Sequence, residues 1–337
     1  MDETWEAVLP PLLQRAGIFG DARIAAIRPL TGGVSSDIVH IALTNGQQLC
    51  AKRALPRLKV ASVWEAPLER NHYEAAWLRR AGLIRPGAVP AVIGEDEARG
   101  IVVLDYLPPE DFLLWKDELL AGRFDAKVPS AVADTLGAIH AATWGSAEIA
   151  AEFPTDSLFD ALRLDPYLRT LAARTPDLSA KILQVVEATA TSKQALVHGD
   201  VSPKNILIHR RDGHPVLLDA ECAWYGDPAF DCAFCTNHLL LKAVKLPALA
   251  HRLLPAAGAF FATWIAHVPR TERPAVEARV AALLPCLFLA RVDGKSPVEY
   301  LDAGEQDTVR RLSRPLIAEP AGRFAEVLAR IGEGLGR

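Results

Sequence analysis

Val197-His198-Gly199-Asp200-Val201-Ser202-Pro203-Lys204-Asn205-Ile206-Leu207-Ile208, followed after a short turn by Val216-Leu217-Leu218-Asp219-Ala220-Glu221, decides the reading of this chain. Each half sets an apolar, strand-like run beside polar groups in a loop. The first half offers an Asp and, five positions on, an Asn; the second ends in an isolated Asp. An alcohol is a poor nucleophile toward a phosphoryl group, and Asp200 is of the type that orients it and accepts its proton. Asn205 supplies a neutral amide oxygen and Asp219 a hard anionic one, the donors that Mg²⁺ takes. A base carboxylate with two such oxygens is the equipment of phosphoryl transfer from Mg-ATP. Any one of these residues alone reads as a strand-end turn with Asx-type hydrogen bonds; the combined H-G-D-x-x-x-x-N, strand, strand, D order does not.

Working outward, the chain has 337 residues, enough for a sizeable core and for two lobes or domains. Apolar residues make up 50% and charged residues 23%, an ordinary globular mix, and the net charge is −4. No long basic run is present, so neither nucleic acid nor an anionic membrane is the expected partner. The N-terminus, Met1 to Glu6, lacks an apolar signal run. The longest uncharged stretch, Leu253 to Pro269, contains Pro255 and His267 and falls short of the ~20 apolar residues of a spanning helix. It reads as a buried helix, and the expected location is cytoplasmic. The 5 cysteines form no regular framework, which fits a reducing compartment. Cys232-x-x-Cys235 has no second ligand pair at metal spacing and reads as buried helix. Abundant Ala, Leu, Arg and Pro point to a GC-rich bacterial genome.

Residues 4–17 have helical period and end at Gly17. Arg23–Leu30, Ile38–Leu43 and Gln48–Ala54 read as three antiparallel strands, the last two joined through Asn45-Gly46. Pro67–Arg80 reads as a helix, and Ala91–Gly94 and Gly100–Leu104 as two more strands. From about 110 the character changes to Ala/Leu-rich helices at 129–143, 157–173, 178–191, 230–245, 247–267, 273–292 and 303–334, interrupted only by short strands around Asp200 and Asp219. Pro166, Pro285 and Pro315 are expected to break or kink them. The fold class is therefore α+β: a small antiparallel-sheet N-lobe with a leading helix over 1–105, a hinge over 106–111, and a mostly helical C-lobe over 112–337.

Lys52 lies mid-strand between apolar neighbours and must face either solvent or an anion. Glu69 and Glu74 on the following helix are candidate partners, but five positions separate them by about 140° around the axis, so at most one faces Lys52. Glu74 is favoured for its apolar neighbours; Glu69 sits in the first turn, where the helix dipole alone favours a carboxylate. Gly32, Gly33, Ser35 and Ser36 are a candidate phosphate-covering turn, a weak signal that gains from its place ahead of Lys52. The end of the last N-lobe strand, Asp105 to Leu107, is positioned to offer backbone groups to an adenine edge. His198 reads as a brace tying its loop to the Asp219 segment, and Lys204 either as a γ-phosphate contact or as a solvated lysine. Gly294-Lys295-Ser296 is not a Walker loop, because position 289 is Leu, and Gly33-Val34-Ser35-Ser36-Asp37 lacks the last glycine of a nucleophile elbow.

In this order the residues resemble the aminoglycoside phosphotransferase and choline kinase-like family of the protein-kinase-like fold. The carriers are Gly32-Gly33-Val34-Ser35-Ser36, Lys52, Glu74, Leu104-Asp105-Tyr106, His198 to Leu207, Leu218-Asp219-Ala220-Glu221 and Tyr225-Gly226-Asp227-Pro228-Ala229-Phe230-Asp231, covering about 25 to 240. The resemblance implies ATP and Mg²⁺, with Asp200 as catalytic base and Asn205 and Asp219 as metal ligands. It implies Lys52 on the α/β-phosphates, paired with Glu74, and Asp231 bracing the catalytic loop. Family members often carry His and Gly where this chain has Ser202 and Lys204, so the γ-phosphate contacts differ in detail.

The stretch from Asp219 to Asp231 is too short for a peptide-binding activation segment, and no Ala-Pro-Glu follows it. A small-molecule hydroxyl acceptor (an aminoglycoside, sugar or amino-alcohol) is therefore expected, with a monomer or homodimer as the state. A protein kinase, a nucleotide-binding regulator without turnover, and GTP in place of ATP are the alternatives. Arg291 to Tyr300 is unusually polar for the helical lobe. It reads either as part of the acceptor pocket or as a helix end capped by Gly294. Polycationic aminoglycosides would need several carboxylates in the pocket.

Overall fold

A computed structural model describes residues 4–18, 22–30, 35–56 and 67–336. Gly32 and Gly33 lie outside the described residues. The chain divides into two compact units, one of Met1–Asp111 with Asp219–Glu221, the other of Phe112–Leu218 with Cys222–Arg337.

In the first unit helix α1 (Trp5–Arg15) precedes strands β1 (Ile24–Pro29), β2 (Ser36–Leu43) and β3 (Gln48–Ala54). Helix α2 (Arg70–Ile84), β4 (Val92–Asp96) and β5 (Ile101–Asp105) follow. The strands form one antiparallel sheet in the order β1-β2-β3-β5-β4. Strand alternation explains its layers. Val39, Ile41 and Leu43 of β2, Leu49 and Ala51 of β3, and Ile101 and Val103 of β5 share a core with Trp5, Val8, Leu9, Leu12 and Leu13 of α1. Lys52, one residue beyond Ala51, therefore points to the other face, where α2 packs with Ala75, Trp77, Leu78 and Ala81 buried.

The second unit opens with β6 (Phe112–Leu114) and the helices α3 (Trp115–Leu120), α4 (Lys127–Thr143), α5 (Ala147–Glu152) and α6 (Asp156–Phe159). A π-type segment (Asp160–Arg169) leads into α7 (Thr170–Arg174) and α8 (Ser179–Thr191). Then come β7 (Ala195–Val197), β8 (Ile206–His209), β9 (Pro215–Leu217) and β10 (Trp224–Gly226). The chain ends in α9 (Ala229–Lys245), α10 (Ala250–His267), α11 (Arg273–Asp293), α12 (Ala303–Ala318) and α13 (Phe324–Gly334). Fully buried Phe230, Phe234, Phe260, Trp264 and Phe288 fill the interior among α9, α10 and α11.

The expected small antiparallel sheet and helical remainder are present, with three differences. The strands around Asp200 are more numerous than the sequence reading had them: β8 pairs with β6 and β9, and β7 with β10. Runs of three residues are too short to show a period. The prolines do not end their helices, since α11 runs through Pro285 and α12 through Pro315. One lost N–H bond is tolerated where neighbouring turns are held by buried side chains, as Leu283 to Leu289 are. Pro166 instead lies in the π-type segment, whose wider turns accommodate it. The helix read over 303–334 is interrupted between α12 and α13, at Glu319 to Arg323, where Pro320 stops it.

Leu9 is fully buried between α1 and the sheet. Leu9→Ala should cost about 3 kcal/mol, read as a lowered midpoint in urea denaturation. An unchanged midpoint would mean that α1 is no part of the folded core.

Candidate active site

The two halves of the deciding stretch are held by different sets of buried charges. In the second unit the loop after β7 turns at Gly199, whose φ is +79°. A Cβ there would lie 2.5 Å from the Cys222 carbonyl oxygen, so both the conformation and the close approach require glycine. Asp231, in the first turn of α9 and fully buried, accepts the His198 N–H at 2.7 Å and the Gly199 N–H at 2.8 Å. Its carboxylate is also met by His140 at 3.2 Å, whose other nitrogen accepts the Trp264 indole N–H at 3.0 Å. His198 accepts the Asp200 N–H on Nδ1 and donates from Nε2 to the Leu218 carbonyl at 3.1 Å. The histidine is thus a brace between the loop and the strand that leads to Asp219.

Upstream in the same motif, Asp227 accepts the Ala229 N–H and is gripped by Arg279 at 2.7 Å, which fixes the start of α9. Burial pushes the Asp227 carboxyl up, and Arg279 opposes that shift.

Asp200 is 2% exposed. Arg163 and Lys204 both meet its Oδ2, at 2.9 and 3.0 Å. Arg163 also donates to the Gly199 carbonyl at 2.5 Å, so one guanidinium fixes loop and carboxylate together. Lys204 is half exposed and pairs with Asp200 itself. Asn205 Nδ2 donates to the Asp200 carbonyl at 3.1 Å, which commits the amide nitrogen. The Leu218 N–H donates to the Asn205 carbonyl, and Asp219 is the next residue of the chain.

In the first unit Lys52 is 6% exposed and lies between two carboxylates, 2.7 Å from Glu74 and 2.5 Å from Asp219. Burial works against its charge, but Asp219 and Glu74 outweigh it and hold the ammonium well above its usual range. Burial pushes the Glu74 carboxyl up to about 7, against the pull of Lys52. Glu69 stands at the start of α2, where its backbone carbonyl takes the Tyr73 N–H. Asp219 has φ +66°, the one positive value at a non-glycine among the described residues. Such a strained backbone is held by its contacts rather than by its own preference.

Arg70 is a hub the sequence reading missed. It is fully buried, and it donates to Glu221 at 3.1 Å and to the carbonyls of Pro67, Ser35 and Leu55. Ser35 is therefore fixed through its backbone, while the Ser36 hydroxyl is buried with no hydrogen-bond partner among the described residues. At the strand end the Tyr106 N–H is already used by the Gln48 carbonyl, which removes it as an adenine donor. The Leu107 N–H makes no hydrogen bond among the described residues, and burial raises the Asp105 carboxyl. Arg163 was likewise missed, because a single arginine in a long helical pattern carries no local signal. Cys232 and Cys235 are buried in α9 with their thiols pushed up by burial, the core role expected of them.

A family model described as the phosphotransferase enzyme family matches residues 26–264. The chain belongs to the phosphotransferase enzyme family. As a member it is an enzyme of the transferase type, in agreement with the sequence reading. It is 27% identical over 241 residues to a methylthioribose kinase of Pectobacterium atrosepticum, a match covering 63% of this chain and 58% of that enzyme's length. It is 24% identical over 364 residues to a methylthioribose kinase of Geobacillus thermodenitrificans, covering 92% and 91%. Its fold matches the crystal structure of an aminoglycoside phosphotransferase from Alicyclobacillus acidocaldarius with a TM-score of 0.52, at 17% identity over 100% of this chain and 97% of that one. The kinase-like fold read from the sequence is thus shared by this phosphotransferase. No helix among the described residues is long and apolar enough to cross a membrane.

Gly199→Ala should destabilise the phosphotransferase by at least about 2 kcal/mol, from left-handed strain plus the clash at Cys222. Gly213→Ala is the control, with φ +75° but open space around its Cβ position. Equal losses in denaturant titrations of the two variants would show that the close approach does not matter.

Proposed function

We propose that the chain transfers the γ-phosphoryl group of ATP, with Mg²⁺, to a hydroxyl of a small molecule. The observation that carries this reading is the Asp200 loop: a buried carboxylate on a glycine turn whose two preceding N–H groups are pinned by Asp231. Rigid placement of the base is what proximity and general-base catalysis require. Asp200 accepts the acceptor's hydroxyl proton while that oxygen bonds to the γ-phosphorus. The bond from phosphorus to the β-phosphate oxygen breaks, and its electrons leave with ADP.

Asn205 and Asp219 are the residues that would hold Mg²⁺; an amide oxygen and a carboxylate are hard donors that suit it. When bound, the metal offsets charge on the phosphates. Lys52, kept charged by Glu74 and Asp219, is the residue for the α/β-phosphates, with the Gly32, Gly33, Ser35 and Ser36 turn and the Asp105 to Leu107 backbone completing the nucleotide contacts. The methylthioribose kinases among the relatives support a sugar-type hydroxyl as acceptor.

Asp200→Ala should leave Mg-ATP binding intact and lower turnover at least ~10²-fold in a labelled γ-phosphate assay. Unchanged turnover would remove Asp200 as the base. Asp219→Ala should instead weaken Mg-nucleotide binding in calorimetry, and wild-type affinity in that variant would remove Asp219 from the metal site.

A further inference from the structure

Ten charged residues other than histidine are buried among the described residues: Lys52, Arg70, Glu74, Arg163, Asp200, Glu221, Asp227, Asp231, Lys242 and Arg291. Eight are matched. Lys52 meets Glu74, Arg70 meets Glu221, Arg163 meets Asp200, Asp227 meets Arg279, and Asp231 takes two backbone N–H groups and His140. Lys242 and Arg291 have no carboxylate within ion-pair distance among the described residues.

Lys242, on α9, is 1% exposed, and its ammonium sits 3.7 Å from the centre of the Tyr300 ring. The Tyr300 hydroxyl is buried and has no hydrogen-bond partner. Arg291, near the end of α11, donates to the Tyr167 hydroxyl at 3.0 Å and to the Ser296 carbonyl at 2.5 Å, and its Nε is buried without a partner. The Tyr167 ring is shared with Arg163, whose guanidinium stands 5.6 Å from its centre and 2.9 Å from Asp200. Arg291 is therefore separated from the Asp200 carboxylate by two side chains, Tyr167 and Arg163, all within the second unit. Burial, with the charges of Lys116 and Arg291, pushes the Lys242 ammonium down to about 7, against Glu299. Burial and the same cations hold His238, one turn before it, neutral. Glu299, whose charge acts on Lys242, is itself paired with Lys116 at 2.5 Å.

A buried cation without a counter-ion costs free energy that a fold does not retain without compensation. From this placement we infer that the Lys242 and Arg291 cluster, linked to Asp200 through Tyr167 and Arg163, is an acceptor subsite for an anionic group, so that the substrate is a small hydroxyl compound carrying a carboxylate or a phosphate. The inference rests on the phosphotransferase reading and deepens it. Recognition divides between Lys242 as a point charge and Arg291 as a fork, with Tyr300 able to donate a hydrogen bond. A polycationic aminoglycoside is excluded from this subsite by like charge.

The test uses D-ribose, D-ribonate, D-ribose 5-phosphate and kanamycin with the full chain. Binding is measured by calorimetry without nucleotide, and transfer by labelled γ-phosphate from Mg-ATP. The ribonate or the ribose 5-phosphate should bind at least about tenfold more tightly than ribose, and which of them does so distinguishes carboxylate from phosphate. Lys242→Met should erase that preference, leave Mg-ATP affinity unchanged and raise Tm, because it removes an unmatched buried charge. Lys242→Arg should keep part of the preference. In the wild type it should weaken as pH rises from 7 to 9, as the ammonium of Lys242 is lost among Lys116, Arg291, Glu299 and Tyr300; in Lys242→Arg it should not. Ribose or kanamycin binding as tightly as both anions would overturn the inference, as would an unchanged preference in Lys242→Met. Should Lys242→Met fail to fold, Tyr300→Phe gives the same reading, since it removes only the unmatched hydroxyl and should weaken anion binding. Anions that bind through Lys242 but accept no label would count against the proposed transfer and leave the subsite standing.

Discussion

Charge removed from water has to be matched, and that constraint organises both units of this chain. A buried ion held in good geometry fixes whatever elements carry its partners, because breaking one side leaves the other uncompensated. Lys52 ties β3 to α2 through Glu74 and to the Asp219 segment. Arg70 ties α2 to Glu221 and to the carbonyls of Ser35 and Leu55. Asp219–Glu221 therefore belongs to the first unit although the chain on either side belongs to the second. In the second unit Asp231 and Arg163 do the equivalent work for the Asp200 loop. Each anchoring charge sits on a helix or strand that is itself held by apolar packing, so the precision of the loops is inherited from the cores.

The backbone supplies a second constraint. Gly199 takes a left-handed turn against the Cys222 carbonyl, and Asp219 takes one with a side chain attached. The first is permitted by the absence of a Cβ; the second is maintained by Lys52. Strain at a residue that carries a side chain is stable only where surrounding contacts over-determine it. That accounts for the density of bonds around these short strands, which by themselves are too brief to hold a register.

Much of this was legible in the sequence, for identifiable reasons. The H-G-D loop, the Asn five positions after the Asp and the later Asp are local and ordered, so spacing alone exposes them. Helical geometry allowed only one of Glu69 and Glu74 to face Lys52, and the apolar neighbours of Glu74 picked it out. The pairs Arg70 with Glu221 and Arg163 with Asp200 could not be read, since they join residues 151 and 37 positions apart on elements whose faces are set only by packing. Within the Asp105 to Leu107 stretch, the pairing of Tyr106 with Gln48 could not be read, because nothing in the sequence marks how far the strand ladder extends. Of the two readings of Arg291 to Tyr300, the helix end is present: Gly294 ends α11, its N–H bonded to the Ala290 carbonyl, and Arg291 is buried. One signal was present and unused. Lys242 stands in Leu239-Leu240-Leu241-Lys242-Ala243-Val244, on a helix that is apolar nearly all round and therefore buried nearly all round.

That lysine shows where the organising constraint stops being satisfied from within. Among the described residues the charges around Lys52, Arg70 and Asp200 are matched, yet Lys242 and Arg291 face an aromatic ring, a hydroxyl and a backbone oxygen. Tyr300 lowers the cost of the ammonium through its ring face but cannot cancel a full charge. If packing alone had shaped this region, an uncharged side chain of similar length at 242 would serve better, and Glu299 would have been the obvious partner were it not committed to Lys116. That the fold matches eight buried charges among its described residues and leaves two unmatched is the physical ground for a counter-ion that arrives from outside the chain.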